Sequence, residues 1–382
     1  MSMKVLIVCN NAYMPGNGLC TAVRTLKEQL GRAGIEARVM ACPNPVEGGR
    51  QPDYCLGHFK FPLFESLIYA SGFRYAKADA KMMREAISWA DVVHIEEGFP
   101  IEAQTAKMAR KMGKPCVGSF HLLSENIMAN LGLRRDRVLN GIVTWFWRKT
   151  AYDRCSIIHC PTEMIREHLG KHGFKSELQV FSNGIWIPEE PVKATPPQTS
   201  PYIISCIARF ANEKSQKTLL EAMRHSRHAS EIQLEFAGKG PKEKKYRKIA
   251  AKLYREGILK YEPRFGFYDE GQLRALATRA YLNIHCAWVE VEGLSCIEAL
   301  REGTVPLIAT GRMTATRVFA LDERSLFPER DSAALAEKID WWIEHPAERL
   351  EMGQKYADYA RSFDREESLR SMIAMYEKAI AG

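Results

Sequence analysis

The chain has 382 residues, of which 46% are hydrophobic and 26% are charged, and its net charge is +8. These proportions exclude a disordered chain, and the length exceeds what one compact core usually holds. No apolar run reaches the ~18 residues of a membrane-spanning helix, and the opening MSMKVLIVCNN is too short an apolar run for a signal peptide. The ten cysteines show no CxxC or paired spacing, which indicates reduced, buried thiols in a cytosolic protein.

The first half of the sequence alternates short β-branched runs with helical patterns. Most of the runs are apolar on both faces, as strands of a parallel sheet covered by helices must be. Helical patterns such as residues 21–32 and 102–112 lie between them, so we predict one doubly wound α/β domain. The predicted strands are residues 4–9, 37–42, 91–96, 115–120, 156–161 and 178–183.

The stretch 132–150, GLRRDRVLNGIVTWFWRKT, mixes basic and large apolar residues. It lies within residues 104–154, where ten Lys/Arg and three acidic residues give a net charge of +7. Such a segment can lie on an anionic bilayer, and the aromatic stretch 59–73 could add to that contact. A core helix with a basic rim is the alternative; nucleic-acid binding is disfavoured because no RNP, KH or helix-turn-helix signal accompanies the segment. The predicted acceptor- or membrane-contacting residues are Arg134, Arg135, Arg137, Trp145, Phe146, Trp147, Arg148 and Lys149.

Residues 188–201, PEEPVKATPPQTSP, are proline-rich and without periodicity, which predicts a linker. After them the alternation of strands and helices restarts and predicts a second doubly wound domain. The predicted strands there are residues 202–208, 232–238, 259–266, 280–286 and 305–310. The predicted divisions are a first domain over 1–187, a linker over 188–201, a second domain over 202–364, and an amphipathic helix over 365–382 that could pack back on the first domain.

Open α/β sheets bind ligands beyond the carboxyl ends of their strands, so the residues that directly follow each strand are the candidate site. Arg209 and Lys214 follow the first strand of the second half and precede a predicted helix at 215–223. A guanidinium, an ammonium and a helix N-terminus suit a diphosphate, although an ordinary surface pair fits the same residues. In GKGP, Gly238 and Gly240 permit close backbone approach, but a strand-ending turn would also use them.

The stretch 288–300, WVEVEGLSCIEAL, places three carboxylates in an apolar run. Gly293 predicts a tight turn followed by a helix whose first backbone N–H groups favour an anion. Glu298, in the first turns of that helix, can accept two hydroxyls of a sugar ring, and Glu290 can address the same ligand from the preceding loop. In the alternative interpretation Glu298 only stabilises the helix N-terminus, and Glu290 and Glu292 face solvent.

Five features occur in one chain and in register. They are E-x7-E at Glu290 and Glu298, the Arg209/Lys214 pair, GKGP, a glycine loop after the first strand, and His121. With them the chain resembles, over nearly its whole length, the retaining glycosyltransferases of family 4. The stretches 120–127 (FHLLSENI), 296–309 (CIEALREGTVPLIA) and 314–327 (TATRVFALDERSLF) are similar to the branch of bacterial diacylglycerol glucosyltransferases. The resemblance implies an α/β architecture of the GT-B type, in which two Rossmann-like doubly wound domains face each other across a cleft.

The resemblance also implies a role for each matching position. Arg209 and Lys214 would hold the donor diphosphate and stabilise the leaving group. Glu298 would bind the ribose hydroxyls, and Glu290 and His121 would contact the donor sugar. Backbone contacts to the donor are expected from Gly16, Gly18, Gly238, Gly240, Gly293, Leu294 and Ser295.

The implied chemistry is front-face transfer with retention through an oxocarbenium-like state. The class normally needs no metal and no cofactor besides the nucleotide sugar, and the sequence shows no DxD motif or His/Cys ligand cluster. Two positions depart from the family pattern. The usual adjacent glycines read Gly16-Asn17-Gly18, and Glu292 stands where the broader family often has an aromatic residue, which leaves the sugar open.

The leading hypothesis is therefore a peripheral enzyme at the inner face of the plasma membrane that moves glucose or galactose from a UDP-sugar to a lipid hydroxyl. The same chemistry on a saccharide or polyprenyl-linked acceptor is the alternative. A glycosidase with two catalytic carboxylates would have no use for Arg209 and Lys214. A non-catalytic nucleotide-sugar binder would bind UDP without turnover.

Overall fold

The structure is a computed structural model, and it describes residues 2–14, 18–60, 65, 69, 73–130, 136–194 and 200–382. Of the residues predicted to form the site, Gly16, Arg134 and Arg135 lie outside these ranges, as does most of the stretch 59–73. The chain divides into two compact units. Unit one is Met1–Asn183 with Glu366–Gly382, and unit two is Gly184–Arg365. No helix within the described ranges is long and apolar enough to cross a membrane.

Unit one is built on a parallel sheet. Its strands are β1 Lys4–Val8, β2 Glu36–Ala41, β3 Tyr54–Cys55, β4 Val92–Ile95, β5 Cys116–Ser119, β6 Ile157–Cys160 and β7 Glu177–Val180. They lie in the order β3-β2-β1-β4-β5-β6-β7. The central strands are buried on both faces because they are almost wholly apolar. The strand order reverses between β1 and β4, the position at which sheets of this type bind ligands.

Helices connect these strands. They are α1 Gly18–Arg32, α2 Ala80–Trp89, α3 Pro100–Lys111, α4 Ser124–Asn130, α5 Arg137–Thr150 and α6 Glu163–Lys171. Asp79 and Asp136 begin α2 and α5 by accepting hydrogen bonds from the first free backbone N–H groups. Pro100 begins α3, where its missing N–H would have had no partner in the helix.

Unit two repeats the plan. Its strands are β8 Tyr202–Ile207, β9 Ile232–Ala237, β10 Arg264–Gly266, β11 Leu282–His285, β12 Val289–Glu290, β13 Val305–Thr310, β14 Met313–Thr314 and β15 Leu326–Pro328. The main parallel sheet has the order β10-β9-β8-β11-β13-β15, so its switch point lies between β8 and β11. The short strands β12 and β14 pair separately beyond the main sheet.

The helices of unit two are α7 Gln216–Ala222, α8 Glu243–Arg255, α9 Glu270–Arg279, α10 Leu294–Arg301, α11 Ser332–Glu344 and α12 Pro346–Ala360. The last helix of the chain, α13 (Arg365–Ala381), contributes to the core of unit one. Its Met372 and Met375 belong to the same buried cluster as Val5 and Ile7 of β1. The first unit is therefore completed by the end of the chain.

The predicted doubly wound α/β class is confirmed in both units, and every predicted strand is present with its ends displaced by a few residues. The strand predicted over 259–266 is shorter, since it begins only at Arg264. Pro263, directly before it, has no N–H to donate to a strand ladder. Part of the proline-rich segment is held by unit two: Gln354 accepts from the Ala194 N–H and donates to the Val192 carbonyl.

Candidate functional site

The core of the candidate site in unit two is a largely buried ion pair at the switch point between β8 and β11, whose two side chains are 16% and 14% exposed. Lys214 Nζ contacts Glu290 Oε2, and His285 Nε2, at the end of β11, lies 3.2 Å from the same oxygen. Burial acts to raise the pKa of the Glu290 carboxyl, but Lys214 and His285 outweigh it and lower the pKa to about 2. Glu290 is therefore ionised at neutral pH, and both basic partners approach one of its two oxygens.

Gly293 fits over this ion pair. Its φ of +85° lies in the left-handed region, and it is the residue before α10. A Cβ there would overlap Thr316 Cγ2 and would lie 3.2 Å from Glu290 Cγ and 3.4 Å from His285 Cε1. Because both the backbone conformation and the space require it, this position is restricted to glycine. We call Lys214, His285, Glu290, Gly293 and Thr316 the Gly293 cluster.

Arg209 lies at the start of the loop that ends in Lys214. Its Nη2 is 2.6 Å from Glu213 Oε1, and the Glu213 side chain is completely buried. The backbone of the same loop is joined to Trp288, whose N–H donates to the Glu213 carbonyl and whose Nε1–H donates to the Asn212 carbonyl. The loop after β8 and the loop after β11 are therefore fastened to each other by their main chains as well as by the Lys214–Glu290 pair.

The two glycines of GKGP are explained by the Arg209 loop. A Cβ at Gly238 would overlap the Ala208 carbonyl, and a Cβ at Gly240 would overlap the Phe210 carbonyl. The Phe210 N–H donates to the Lys239 carbonyl at 2.9 Å. These glycines therefore let the GKGP turn pack against the backbone on either side of Arg209.

Glu298 lies on the helix that Gly293 begins, and its side chain is partly buried. It forms no hydrogen bond or ion pair within the described part of the chain. Burial raises the pKa of its carboxyl to about 7, against the opposing charge of Arg301. On the same helix the Ser295 hydroxyl is occupied, since it donates to the Ile207 carbonyl at 3.0 Å. The alternative that Glu290 and Glu292 face solvent is wrong, because Glu292 is buried and the Glu290 side chain is 14% exposed.

In unit one, His121 lies beyond the end of β5 and Glu96 lies beyond the end of β4. His121 Nε2 is 3.0 Å from Glu96 Oε2. Glu96 is buried, whereas the His121 side chain keeps 12% of its surface exposed. Burial acts to raise the pKa of the Glu96 carboxyl, but the net direction is downward, and the contact with the His121 imidazole is one of the causes. Gly18, also predicted to contact the donor, begins α1, and no atom of the described residues lies within 4 Å of where its Cβ would be.

Two more carboxyls lie beside Glu96. The Asn10 side-chain amide donates to Glu102 at 2.9 Å and to Glu97 at 3.3 Å. Burial raises the pKa of Glu97 to about 7 and that of Glu102 well above its usual value. The same small region thus keeps one carboxyl ionised and favours protonation of its neighbours.

Helix α5 turns an apolar face to solvent. Val138, Ile142, Trp145 and Phe146 are 71%, 54%, 53% and 49% exposed. At 3.6 residues per turn they fall within about 100° of the helix circumference. The opposite face, which is buried, carries the polar residues Asn140 and Thr144. A helix that packs only within its own unit normally buries its apolar face, whereas α5 exposes much of its apolar face and buries polar residues.

Two of the residues predicted to contact a membrane do not belong to this exposed face. Trp147 is 4% exposed and packs edge-on against Phe99, because its position on the helix points into unit one. Arg148 donates to the carbonyls of His172 and Gly173, so its guanidinium is used within the unit. The prediction that Trp147 and Arg148 contact a membrane is therefore wrong, because both side chains are used within unit one.

Sequence reasoning missed His285 and gave Glu96 no role. Both occupy strand ends at a switch point, where the rule for open α/β sheets would have directed attention. The local sequence does not distinguish them. His285 is the last residue of an apolar strand, and Glu96 is followed by Glu97 in a segment without helical or strand periodicity.

Two family models match the chain in succession. The model Glycosyltransferase Family 4 matches residues 16–186, and the model Glycosyl transferases group 1 matches residues 188–362. A curated relative, Alpha-monoglucosyldiacylglycerol synthase of Streptococcus pneumoniae, is 22% identical over 326 residues, which are 81% of this chain and 71% of that protein.

Two solved structures are similar to this chain in different ways. The structure of Anabaena Alr3699/HepE in complex with UDP and glucose has a TM-score of 0.71 and 14% identity, over 99% of this chain and all of that one. The catalytic domain of cholesterol-alpha-glucosyltransferase from Helicobacter pylori is 40% identical, over 43% of this chain and 99% of that one, with a TM-score of 0.40. The likeness to the Anabaena protein confirms the GT-B fold.

Replacement of Gly293 by alanine tests the packing of the Gly293 cluster. We expect Gly293→Ala to lower the free energy of unfolding by about 3 kcal/mol, from left-handed strain and overlap with Thr316 together. Gly257→Ala is the matched control, because Gly257 has a φ of +72° but nothing within 4 Å of its Cβ position. Strain alone should cost that variant about 1 kcal/mol. Equal losses in denaturant unfolding would contradict the packing described here.

Proposed function

Because the chain belongs to the retaining glycosyltransferases of family 4, we propose that it transfers glucose or galactose from a UDP-sugar to a lipid hydroxyl, such as that of diacylglycerol or ceramide, at a membrane surface. The observation that carries the proposal is that one chain combines two features. Unit one exposes the apolar face of α5, and unit two contains the Gly293 cluster. The first feature supplies a reason for a lipid acceptor, and the second a place for the donor.

The donor end of the proposal is supported by the charges of unit two. Arg209 and Lys214 would bind the diphosphate, and each is held in place by a carboxylate until a ligand arrives. Glu290 would address a sugar hydroxyl through Oε1, since Lys214 and His285 both approach Oε2. The Anabaena relative was crystallised with UDP and glucose, which supports a UDP-sugar as the donor.

The chemistry follows from where charge develops during transfer. The bond between the sugar and the diphosphate breaks, so negative charge grows on the leaving phosphate while the sugar approaches an oxocarbenium ion. Lys214 and Arg209 would stabilise that phosphate, and charges fixed in place before the reaction are the main contribution that a preorganised site makes. Glu290, ionised, would stabilise the sugar side. His121 keeps the role predicted from the sequence, a contact to the donor sugar.

The acceptor end is supported by α5. Trp145 and Phe146 would enter the interfacial layer of a membrane, while Arg137 and Lys149, exposed on the same helix, would meet anionic headgroups. Arg134 and Arg135 precede the helix and add charge to the same segment. The name of the Streptococcus pneumoniae relative, Alpha-monoglucosyldiacylglycerol synthase, supports a lipid as the acceptor. Peripheral attachment to the inner face of the plasma membrane is part of this proposal.

Transfer is tested by incubating the purified protein with labelled UDP-glucose or UDP-galactose and mixed lipid acceptors, and by identifying the lipid product by mass. Lys214→Ala should lower kcat by at least about 100-fold, because it removes the cation at the leaving phosphate. Lys217→Ala is the control: this lysine is 48% exposed and pairs with Glu221 on α7. Normal turnover in Lys214→Ala would defeat the assignment.

Binding of UDP-glucose should depend on pH through Glu298. Its carboxyl holds a proton below pH 7, and ribose hydroxyls that donate to it favour the ionised form, so binding at low pH must release that proton. Affinity should therefore rise from pH 6 to pH 8, by about tenfold per unit at the acidic end. The diphosphate of UDP-glucose is esterified at both ends and does not titrate in this range. Titration calorimetry should show that Glu298→Gln loses the slope; parallel curves for the two proteins would exclude the ribose contact.

Vesicle co-sedimentation tests the exposed face of α5. The double variant Trp145→Ala with Phe146→Ala should bind anionic vesicles roughly tenfold more weakly or worse, because both rings leave the interface. Tyr254→Ala removes an aromatic ring of similar exposure, 43%, from unit two and should bind as the wild type does. If the wild-type protein does not co-sediment with anionic vesicles, a saccharide or polyprenyl-linked acceptor becomes the better assignment.

A further inference from the structure

A chain of buried hydrogen bonds crosses unit one, and its direction can be deduced. His159 Nε2 is 2.8 Å from the Phe181 carbonyl, which can only accept, so the proton of His159 is on Nε2. His159 Nδ1 then accepts from the Ser119 hydroxyl, at 3.0 Å. Ser119 Oγ in turn must accept from His94 Nε2–H, at 2.8 Å. Finally His94 Nδ1 accepts from the Tyr376 hydroxyl, at 2.7 Å.

This deduction requires that both histidines are neutral, and their surroundings make them so. Burial lowers the pKa of His159 to about 3 and also lowers the pKa of His94. Each ring therefore carries one proton, and the four hydrogen bonds fix which nitrogen has it. The chain joins three neighbouring strands to α13, since His94, Ser119 and His159 lie on β4, β5 and β6 and Tyr376 lies on the last helix.

The direction of the chain decides which histidine serves Glu96. His94 Nδ1 lies 3.7 Å from Glu96 Oε1, but it is an acceptor and has no proton to offer. This explains why Glu96 Oε1 is buried without a hydrogen-bond partner among the residues that the structure describes. The imidazole proton available to Glu96 is that of His121, whose Nε2 is 3.0 Å from Oε2.

We propose that Glu96 is a positioning residue for His121: its carboxylate accepts the His121 Nε2–H, fixes the ring and its tautomer, and leaves Nδ1 as the atom that meets the substrate. The proposal rests on the role of His121 in the proposed transfer reaction. A histidine free to exchange its two tautomers would present an acceptor at Nδ1 only part of the time. The hydrogen bond to a buried, ionised carboxylate removes that ambiguity before the substrate binds.

Nitrogen NMR of protein labelled with ¹⁵N-histidine tests the first half of the proposal, with the His121 signals identified by their loss in His121→Asn. In the wild type the proton should reside on Nε2. Glu96→Leu removes the acceptor and should give a mixture of tautomers. Glu96→Gln should restore the Nε2–H form, because the amide oxygen can accept in place of the carboxylate oxygen.

Kinetics test the second half. Glu96→Leu should lower kcat about 10- to 100-fold with little change in the KM for the UDP-sugar, and Glu96→Gln should recover most of the kcat. Tyr376→Phe is the structural control, since it removes the far end of the chain without touching His121 and should leave the His121 tautomer unchanged. An unchanged tautomer in Glu96→Leu overturns the proposal, and so does a changed tautomer with unchanged kcat. Should the wild type transfer no sugar at all, the proposed function fails, and the NMR comparison still decides whether Glu96 holds His121.

Discussion

The ion pair between Lys214 and Glu290 is the constraint on which the candidate site in unit two depends. A buried carboxylate is costly unless opposite charge and hydrogen bonds compensate it, and here two basic side chains do so. Lys214 comes from the loop after β8 and Glu290 from the short strand after β11, so the pair closes the switch point of the sheet. Gly293 must then pass close over Glu290 and His285, which explains why neither its backbone conformation nor its space admits a side chain.

Unit one also buries carboxyl groups, but their charges are compensated in a different way. It gathers three carboxyls at its own switch point, where the pKa of Glu96 is lowered, while burial raises the pKa of Glu97 to about 7 and that of Glu102 well above its usual value. Groups of one chemical type whose surroundings push their pKa values apart are typical of functional sites. The neutral hydrogen-bonded chain from Tyr376 to Phe181 lies beneath this arrangement, and α13 is part of it. The helix at the end of the sequence therefore joins this hydrogen-bonded chain as well as the core of the unit.

Much of this architecture was accessible from the sequence, for identifiable reasons. Strands that are buried on both faces are nearly continuous apolar runs, so the runs VLIV in β1 and VPLIA in β13 are enough to predict these strands. The candidate residues of unit two were found because Arg209, Lys214 and Glu290 stand at strand ends. The pairing of Lys214 with Glu290 could not be predicted, because it depends on how two loops that are 76 residues apart in the sequence meet. His285 was hidden because a histidine that ends an apolar strand has the same local pattern as a core histidine.

Helix α5 shows where local pattern and tertiary structure disagree most. Apolar periodicity normally identifies the face of a helix that packs inward. In α5 the core of unit one instead takes Asn140, Thr144 and Trp147, leaving Ile142, Trp145 and Phe146 outside. Burial of Thr144 costs little, because its hydroxyl lies 3.2 Å from that of Ser124, but exposure of two large aromatic rings gains nothing within the unit. Conflicts between local rules and the fold concentrate at functional sites, and the outward face of α5 is such a conflict, which is why the proposed lipid acceptor depends on it.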